Sequence, residues 1–260
     1  MLAIEVVTLF PDLIRSAVTA GVLGRAVERG LVSVGTEDPR RYATDAHRTV
    51  DDRPYGGGPG MVLKAEPFAE AIGAARARLP AGARRVALSA QGRPLTQGDV
   101  RRLAGEAGLV LVAGRYEGFD QRLIDAEIDE ELSIGDYVLS GGEFAALVVI
   151  DALVRLLPGA LGDEQSAVEE SFADGLLDWP HYTRPDRWRG LAVPEVLQSG
   201  DHARIRRWRL QQALGRTWQQ RPDLIAARGL DAAERQLLEQ YCAEAGLAPP
   251  GNGTKHSSRT

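Results

Sequence analysis

The stretch Ser133–Glu143, SIGDYVLSGGE, decides the fold, together with Gly114–Gly118, GRYEG, upstream of it. Each of these glycine-containing turns follows an apolar run, Leu109–Ala113 for the first and Ile134–Leu139 for the second. A third apolar segment, Phe144–Leu157, begins directly after the second turn. The pattern predicts strand, turn, strand, turn and helix, an order with which α/β proteins form a ligand crevice at the carboxyl ends of their strands.

Two adjacent glycines, Gly141 and Gly142, mark the end of this stretch. Because glycine has no Cβ, the backbone there can approach a flat ligand closely or adopt a positive φ. The sequence therefore predicts a small-molecule pocket that is built mainly from backbone.

The rest of the first 160 residues alternates between strand and helix patterns. We predict strands at Leu2–Leu9 and Arg85–Ala90, and helices at Asp12–Arg29, Pro67–Leu79 and Thr96–Ala107. In the last of these helices, Thr96 and Asp99 have the spacing of a capping box. Such alternation predicts an α/β fold with a mostly parallel sheet and helices on both faces.

Composition excludes several classes of protein. The chain has 260 residues, of which 44% are hydrophobic and 26% charged, as in ordinary globular proteins. Its apolar runs are shorter than the ~20 residues that cross a bilayer, and the N-terminus reads as a strand rather than a signal peptide. A single cysteine, Cys242, fits a reducing compartment. We expect a cytoplasmic protein without a membrane partner.

The net charge of −5 conceals an asymmetry. Residues 116–178 contain 16 acidic and two basic side chains, whereas residues 181–221 contain nine arginines and three acidic side chains. The distribution suits a cationic small ligand in the first part and a nucleic acid on the second, although two solvated charged faces are an equal alternative.

The periodicity changes after Gly159. We predict a catalytic domain over residues 1–159, an interdomain linker over 160–180, an all-helical domain over 181–247 and a disordered tail over 248–260. Asp201 is expected to cap a helix that runs to about Gln219, and Asp231 a helix that runs to about Ala245.

Arginines dominate the first predicted helix of the second domain. Arg204, Arg206 and Arg207 share a broad helical face, for which RNA backbone contact is favoured over simple solvation. For Trp188, Trp208 and Trp218, core anchoring is favoured over base stacking. Arg155 ends an apolar helix, where it either complements the helix dipole or supplies a fixed positive charge to a reacting group.

Other motifs carry less information. The glycine loop Tyr55–Met61, YGGGPGM, lacks the lysine of a phosphate-binding loop and is interpreted as a mobile loop over a substrate rather than a plain turn. The sequence GxSxG, which marks the nucleophile of many hydrolases, does not occur around Ser89 or Ser140, so a hydrolase is disfavoured. The four histidines are scattered and lack the spacing of a zinc site, so a zinc enzyme is disfavoured too.

Five long blocks of sequence carry a family resemblance. They are HRTVDDRPYGGGPGM (47–61), GRYEG (114–118), EIDEELSIGDYVLSGGE (127–143), GLLDWPHYTRP (175–185) and SGDHARIRRWR (199–209). Through them the chain resembles the bacterial tRNA (guanine-N1)-methyltransferases over roughly Leu2–Tyr241. The resemblance implies a SPOUT-class homodimer with a shared active site, a trefoil-knotted α/β domain that holds S-adenosylmethionine, and a smaller helical domain that binds tRNA. The periodicity itself shows no knot.

The resemblance also implies site residues. The cofactor pocket would be formed by Leu88, Ser89, Gly114, Tyr116, Ile134, Gly135, Asp136, Tyr137, Val138, Leu139, Gly141 and Gly142. Catalysis would use Glu170, Arg155 and Asp178. This chain departs from the family at Glu170, where an aspartate is usual, so that the adjacent Glu169 is an alternative base. Ser89-Ala90 replaces the usual Ser-Pro.

The implied reaction is methylation of N1 of the guanine at position 37, immediately 3′ of the anticodon. Glu170 would remove the N1 proton, Arg155 would stabilise charge on O6, and Asp178 would order the linker or contact the guanine. Magnesium is implied by the family, yet the sequence offers no ligand cage and we predict no metal-binding residues. Two alternatives stay open, a ribose 2′-O-methyltransferase on the same scaffold and a non-catalytic RNA-binding module.

Overall fold

The computed structural model describes residues 1–162 and 170–248. The chain divides into two compact units, Met1–Glu164 and Gln165–Thr260, which we call unit 1 and unit 2. The predicted disordered tail falls almost entirely on residues outside the described ranges. Among the residues described, no helix is long and apolar enough to span a membrane.

Unit 1 is built around a five-stranded parallel sheet. Its strands are β1 (Leu2–Val7), β2 (Val32–Glu37), β5 (Arg84–Pro94), β6 (Leu109–Ala113) and β7 (Glu130–Ser133), in the order β2-β1-β6-β5-β7. Its helices are α1 (Pro11–Ala17), α2 (Gly21–Glu28), α3 (Ala65–Ala77), α4 (Gln97–Ala104), α5 (Gln121–Glu127) and α6 (Glu143–Val154). A two-stranded antiparallel ribbon, β3 (Asp51–Asp52) with β4 (Val62–Leu63), lies apart from the sheet. The predicted α/β class is confirmed.

Side chains alternate between the two faces of this sheet, as the strand period of two requires. Leu109 and Leu111 of β6 pack in one core with α6, whereas Val110 and Val112 pack in the other with α3. All five residues of β6 are buried, which explains its uninterrupted apolar sequence. Helices therefore cover both faces, as predicted.

One predicted strand is wrong. The apolar run Ile134–Leu139, which was predicted to be a strand, is a loop. The strand at this point of the chain, β7, lies before the run and ends at Ser133. Gly135 has a φ of +147°, and the Ser133 hydroxyl hydrogen-bonds Gly135 at both its carbonyl and its amide, so the chain turns at once. Ile134 still packs against the core, but Val138 is 89% exposed, so the rest of the run leaves the core.

Other boundaries also differ from the sequence prediction. The expected helix Asp12–Arg29 is two helices, α1 and α2, because the chain breaks before Gly21, whose φ is +65°. The capping box of Thr96 and Asp99 is confirmed at the start of α4. Strand β2 was not predicted, because VSVGTE is short and only half apolar.

Unit 2 is mainly helical. It contains α7 (Glu195–Gln198), α8 (His202–Gln220), α9 (Pro222–Arg228) and α10 (Ala232–Ala245), preceded by a small hairpin of β8 (Arg187–Trp188) and β9 (Leu191–Ala192). Asp201 and Asp231 cap α8 and α10 as predicted. Leu214 of α8 and Leu238 of α10 are fully buried in its core.

Candidate functional site

A cavity of about 430 Å³ opens in unit 1 at the carboxyl ends of β6 and β7, beside Leu88 of β5. A cavity thus lies at the carboxyl edge of the sheet, where the sequence predicts a ligand crevice. Eleven of the twelve residues that the resemblance implied line this cavity: Leu88, Ser89, Gly114, Tyr116, Ile134, Gly135, Tyr137, Val138, Leu139, Gly141 and Gly142. Asp136 belongs to the same loop, exposed, but is not a lining residue.

Gly141 and Gly142 are required for contact between two turns of the chain. The amide of Gly142 donates to the carbonyl of Gly114 at 2.8 Å, and Gly141 forms an isolated bridge with Arg115. A Cβ on Gly142 would lie 2.9 Å from Ala113 Cα, so that only glycine fits there. The close approach is thus to the end of β6, and it holds both cavity-lining turns together.

A buried carboxylate fixes the same two turns from behind. Glu143, in the first turn of α6, is fully buried and accepts hydrogen bonds from Thr8 Oγ1 at 2.9 Å and Arg115 Nε at 3.0 Å. The Arg115 guanidinium also lies 4.2 Å from the centre of the Phe10 ring. Glu143 therefore joins the end of β1, the turn after β6 and the start of α6, where a helix dipole favours negative charge.

Several lining residues were not singled out from the sequence. They include one amide-bearing and two acidic residues, Gln91, Glu117 and Glu131. Glu117 was within the quoted GRYEG turn, and its amide donates to the Met61 carbonyl at 3.0 Å, next to the glycine loop 55–61. Periodicity could not identify these residues, because a polar side chain gives the same sequence pattern whether it faces solvent or a cavity.

Unit 2 has its own cavity, of about 250 Å³, against helix α8. Its wall is formed in part by residues 170–178, which we call the strap. One hydrogen bond closes the strap on itself, from Phe172 N to Leu176 O at 2.7 Å. Two others attach its backbone to the helices: Leu177 N donates to the buried Thr217 hydroxyl of α8 at 2.8 Å, and Arg228 Nε of α9 donates to Asp174 O at 2.8 Å. Although the sequence predicted an interdomain linker here, these residues pack on the helices of unit 2.

Glu170 and Asp178, at the two ends of the strap, line this cavity together. The Asp178 carboxylate accepts from Trp179 N at 2.8 Å and lies 2.7 Å from His181 Nε2. The alternative base, Glu169, lies outside the described residues. The irregular backbone of the strap thus brings two acidic residues to the same cavity. Sequence periodicity could not predict this, because the strap has no regular secondary structure.

Arginines of α8 complete this cavity. Arg206 and Arg209 line it, and the Arg209 guanidinium lies 4.8 Å from the centre of the Trp179 ring. Arg209 Nε is buried and has no hydrogen-bond partner within the part of the chain that the structure describes. Arg204, Arg206 and Arg207 are exposed, and Arg207 also donates to Gln240 at 3.0 Å.

Arg155 and the tryptophans fall in different environments. Arg155 is half-buried at the C-terminal end of α6 in unit 1, where its amide donates to Asp151 O. Trp218 packs against the core of unit 2, as predicted. Trp188 does not, since it is 58% exposed, so the core interpretation is wrong for that residue.

The comparisons with known proteins agree with this arrangement. The family model for tRNA (Guanine-1)-methyltransferase TrmD matches residues 2–227. Proteins named tRNA (guanine-N(1)-)-methyltransferase from Methylococcus capsulatus and Halorhodospira halophila are 60% and 59% identical to the chain. These alignments cover 92% and 93% of this chain, and 96% and 91% of the two relatives. The chain belongs to this family.

Membership of a methyltransferase family implies S-adenosylmethionine as the methyl donor. The unit 1 cavity fits this group, because its volume is that of a small-molecule site and because its lining includes two acidic residues, Glu117 and Glu131, whose charge suits a cationic sulfonium. For magnesium, the described residues offer no comparable binding site. Over residues 1–162 and 170–248, no group of three or more His, Cys, Asp or Glu residues could hold a metal ion.

Proposed function

We propose that this chain transfers a methyl group from S-adenosylmethionine to N1 of the guanine at position 37 of tRNA. The observation that carries the proposal is the family match over residues 2–227, which includes the turns around the unit 1 cavity and the acidic strap of unit 2. The reaction would take place in the cytoplasm, with residues 1–159 holding the cofactor, 160–180 linking the domains, 181–247 binding tRNA and 248–260 as a tail.

S-adenosylmethionine, when bound, supplies the methyl group. We assign it to the turns 114–118 and 134–142, with Leu88 and Ser89 of β5 beside them. The Glu143 contacts support this assignment, because they hold these turns in place before a ligand arrives and so reduce the entropy lost on binding.

Glu170 is the proposed general base. Guanine N1 carries a proton and becomes nucleophilic only when that proton leaves, a task for a carboxylate within hydrogen-bond reach. Glu170 lines the cavity of unit 2, at the end of a strap that two hydrogen bonds attach to α8 and α9. Asp178 would position the guanine from the same cavity, while Arg155 would stabilise the negative charge that develops on O6.

The proposal includes a homodimer in which each active site combines the cofactor cavity of one subunit with the strap of the other. It also includes the trefoil knot. The strand order supports the knot, since the chain passes from β6 to β7 on the far side of β5 and then returns at Gly141 and Gly142 to the end of β6. A requirement for magnesium is tested separately, by measuring turnover as EDTA is added.

Transfer of labelled methyl groups from S-adenosylmethionine to tRNA transcripts tests the function. We expect label in transcripts with guanine at position 37 and none when adenine replaces it, and mass mapping should place the methyl on the base. Label on ribose would instead identify a 2′-O-methyltransferase. Binding of tRNA without any transfer would identify an RNA-binding module, and full activity of a forced monomer would exclude the shared site.

A further inference from the structure

An exposed hairpin in unit 2 is not used by the mechanism above. Its strands β8 and β9 pair at Arg187–Ala192 and Trp188–Leu191, and its base is closed by Val193 N, which donates to Asp186 O at 2.9 Å. The turn residues Arg189 and Gly190 have φ values of 51° and 84°. Two positive φ values match a tight hairpin turn whose twist suits paired strands, so the tip is a defined structure.

The tip presents an aromatic ring to solvent. Trp188 is 58% exposed although it carries one of the largest apolar side chains. The guanidinium of Arg189 lies 4.6 Å from the centre of its ring, a cation–π distance. The ring of Trp188 is therefore held in one orientation while it stays accessible to solvent. An accessible ring of fixed orientation is suited to binding, whereas a ring in the core is buried by its neighbours.

The surroundings of the tip are basic. All residues from 181 to 192 are exposed, and they include three arginines, Arg184, Arg187 and Arg189, against one aspartate. At the base of this segment the Tyr182 ring lies 6.4 Å from the ring of Trp208 in α8, a helix whose exposed arginines extend the positive charge. Such a surface complements a polyanion.

An exposed ring among arginines fits one chemistry better than others. Unpaired nucleotides offer a π-face for stacking and a phosphate for arginine, and every base can stack. We propose that Trp188 is a stacking platform for an unpaired base of the substrate tRNA, with Arg189 supporting the ring and Arg187 contacting the phosphate backbone. The inference rests on the proposed function, because it takes tRNA as the substrate.

The test compares tRNA binding by the full chain and three variants. Trp188→Ala should raise the Kd for unmethylated tRNA by about five- to a hundredfold, the range for loss of one stacked base. Trp188→Phe keeps a ring and should stay within about threefold of the original protein. Leu191→Ala, on the facing strand, removes a side chain that is 70% exposed and serves as the matched control, with no change expected.

Two further measurements separate stacking from indirect effects. Iodide should quench Trp188 in the free protein, seen as the difference from Trp188→Phe, and tRNA should abolish that quenching. The Kd for S-adenosylhomocysteine should be unchanged in every variant. Arg187→Gln should flatten the dependence of log K on log salt by about 0.7, the loss of one single-stranded phosphate contact.

Several results would overturn the inference. Equal tRNA affinity of Trp188→Ala and the original protein would do so, as would equal losses for Trp188→Ala and Leu191→Ala. A shift of the Trp188→Ala variant from dimer to monomer in sedimentation would assign the tip to a second copy of the chain. Binding that depends on Trp188 without methyl transfer would instead contradict the proposed function and leave the inference standing.

Discussion

The two cavities of this protein are built in opposite ways. In unit 1 the cavity is formed largely by backbone turns, and the fully buried Glu143 beside them hydrogen-bonds Thr8 and Arg115. In unit 2 charged residues line the cavity: Glu170 and Asp178 lie on the strap, whose backbone is anchored to α8 and α9, and Arg206 lies on α8 itself. The contrast supports the division of roles proposed above, with cofactor binding in unit 1 and proton removal in unit 2.

The strongest test of this contrast removes the carboxylate of Glu170. Glu170→Gln keeps the size of the side chain but cannot accept the N1 proton, so turnover should fall by about 10²- to 10⁴-fold. The Kd for S-adenosylhomocysteine, measured by calorimetry, should stay the same, because we assign the cofactor to the cavity of unit 1. Glu170→Asp is the control and should retain activity; full activity of Glu170→Gln would move the base to another residue.

The counterpart in unit 1 is Glu143→Leu. It leaves the partly buried Arg115 without its carboxylate, which costs about 3 kcal/mol when one partner of such a pair is removed. If about 1.4 kcal/mol of this cost reaches the cavity-lining turns, the Kd for S-adenosylhomocysteine rises about tenfold. Calorimetry and urea unfolding measure the two effects.

The matched controls separate charge from shape at this site. Glu143→Gln can still accept from Arg115 and donate to Thr8, so its effects should be smaller. The double variant Arg115→Met with Glu143→Leu removes the unpaired charge and should recover stability. An unchanged Kd in the single Leu variant would show that these contacts support folding alone.

Loosening the strap should have a different signature. Thr217→Val keeps the shape of a fully buried side chain but removes the acceptor for Leu177 N, a cost of about 1–3 kcal/mol. We expect lower kcat and lower stability with unchanged cofactor affinity, whereas Thr217→Ser, which keeps the hydroxyl, should keep kcat and stability near those of the original protein. A Thr217→Val enzyme with normal kcat and lower stability would show that this anchor does not position Glu170.

The sequence predicted what depends on periodicity and local caps. Strand β6, with five apolar residues, and the caps at Thr96, Asp201 and Asp231 were predicted correctly. The run Ile134–Leu139 was predicted wrongly, because apolar residues that line a cavity have the same composition as a buried strand. Glu143 was unremarkable in sequence, since only the fold brings Thr8 and Arg115 to it.

The smallest expected effect concerns acid stability, where the two units can be compared through one carboxylate each. In unit 2 the Arg228 guanidinium lowers the pKa of Glu234 below its usual 4.5, and in unit 1 the Arg93 guanidinium lowers that of Asp99. A lowered pKa in the folded state means that each contributes stability above its unfolded pKa, which is lost as pH falls through the folded value. Glu234→Gln and Asp99→Asn should therefore lose less unfolding free energy than the original protein between about pH 6 and pH 3.

The signals of the two units can be read separately in this experiment. All four tryptophans, Trp179, Trp188, Trp208 and Trp218, lie in unit 2, so tryptophan fluorescence during urea unfolding reports on that unit. Far-ultraviolet circular dichroism reports on both. Glu234→Gln should weaken the pH dependence of the unfolding free energy measured by fluorescence, which reports on unit 2. Asp99→Asn should leave that fluorescence transition unchanged and should alter only the dichroism change that comes from unit 1. If both variants changed the fluorescence transition equally, the two units would unfold as one, and the contrast between their cavities would not extend to their stability.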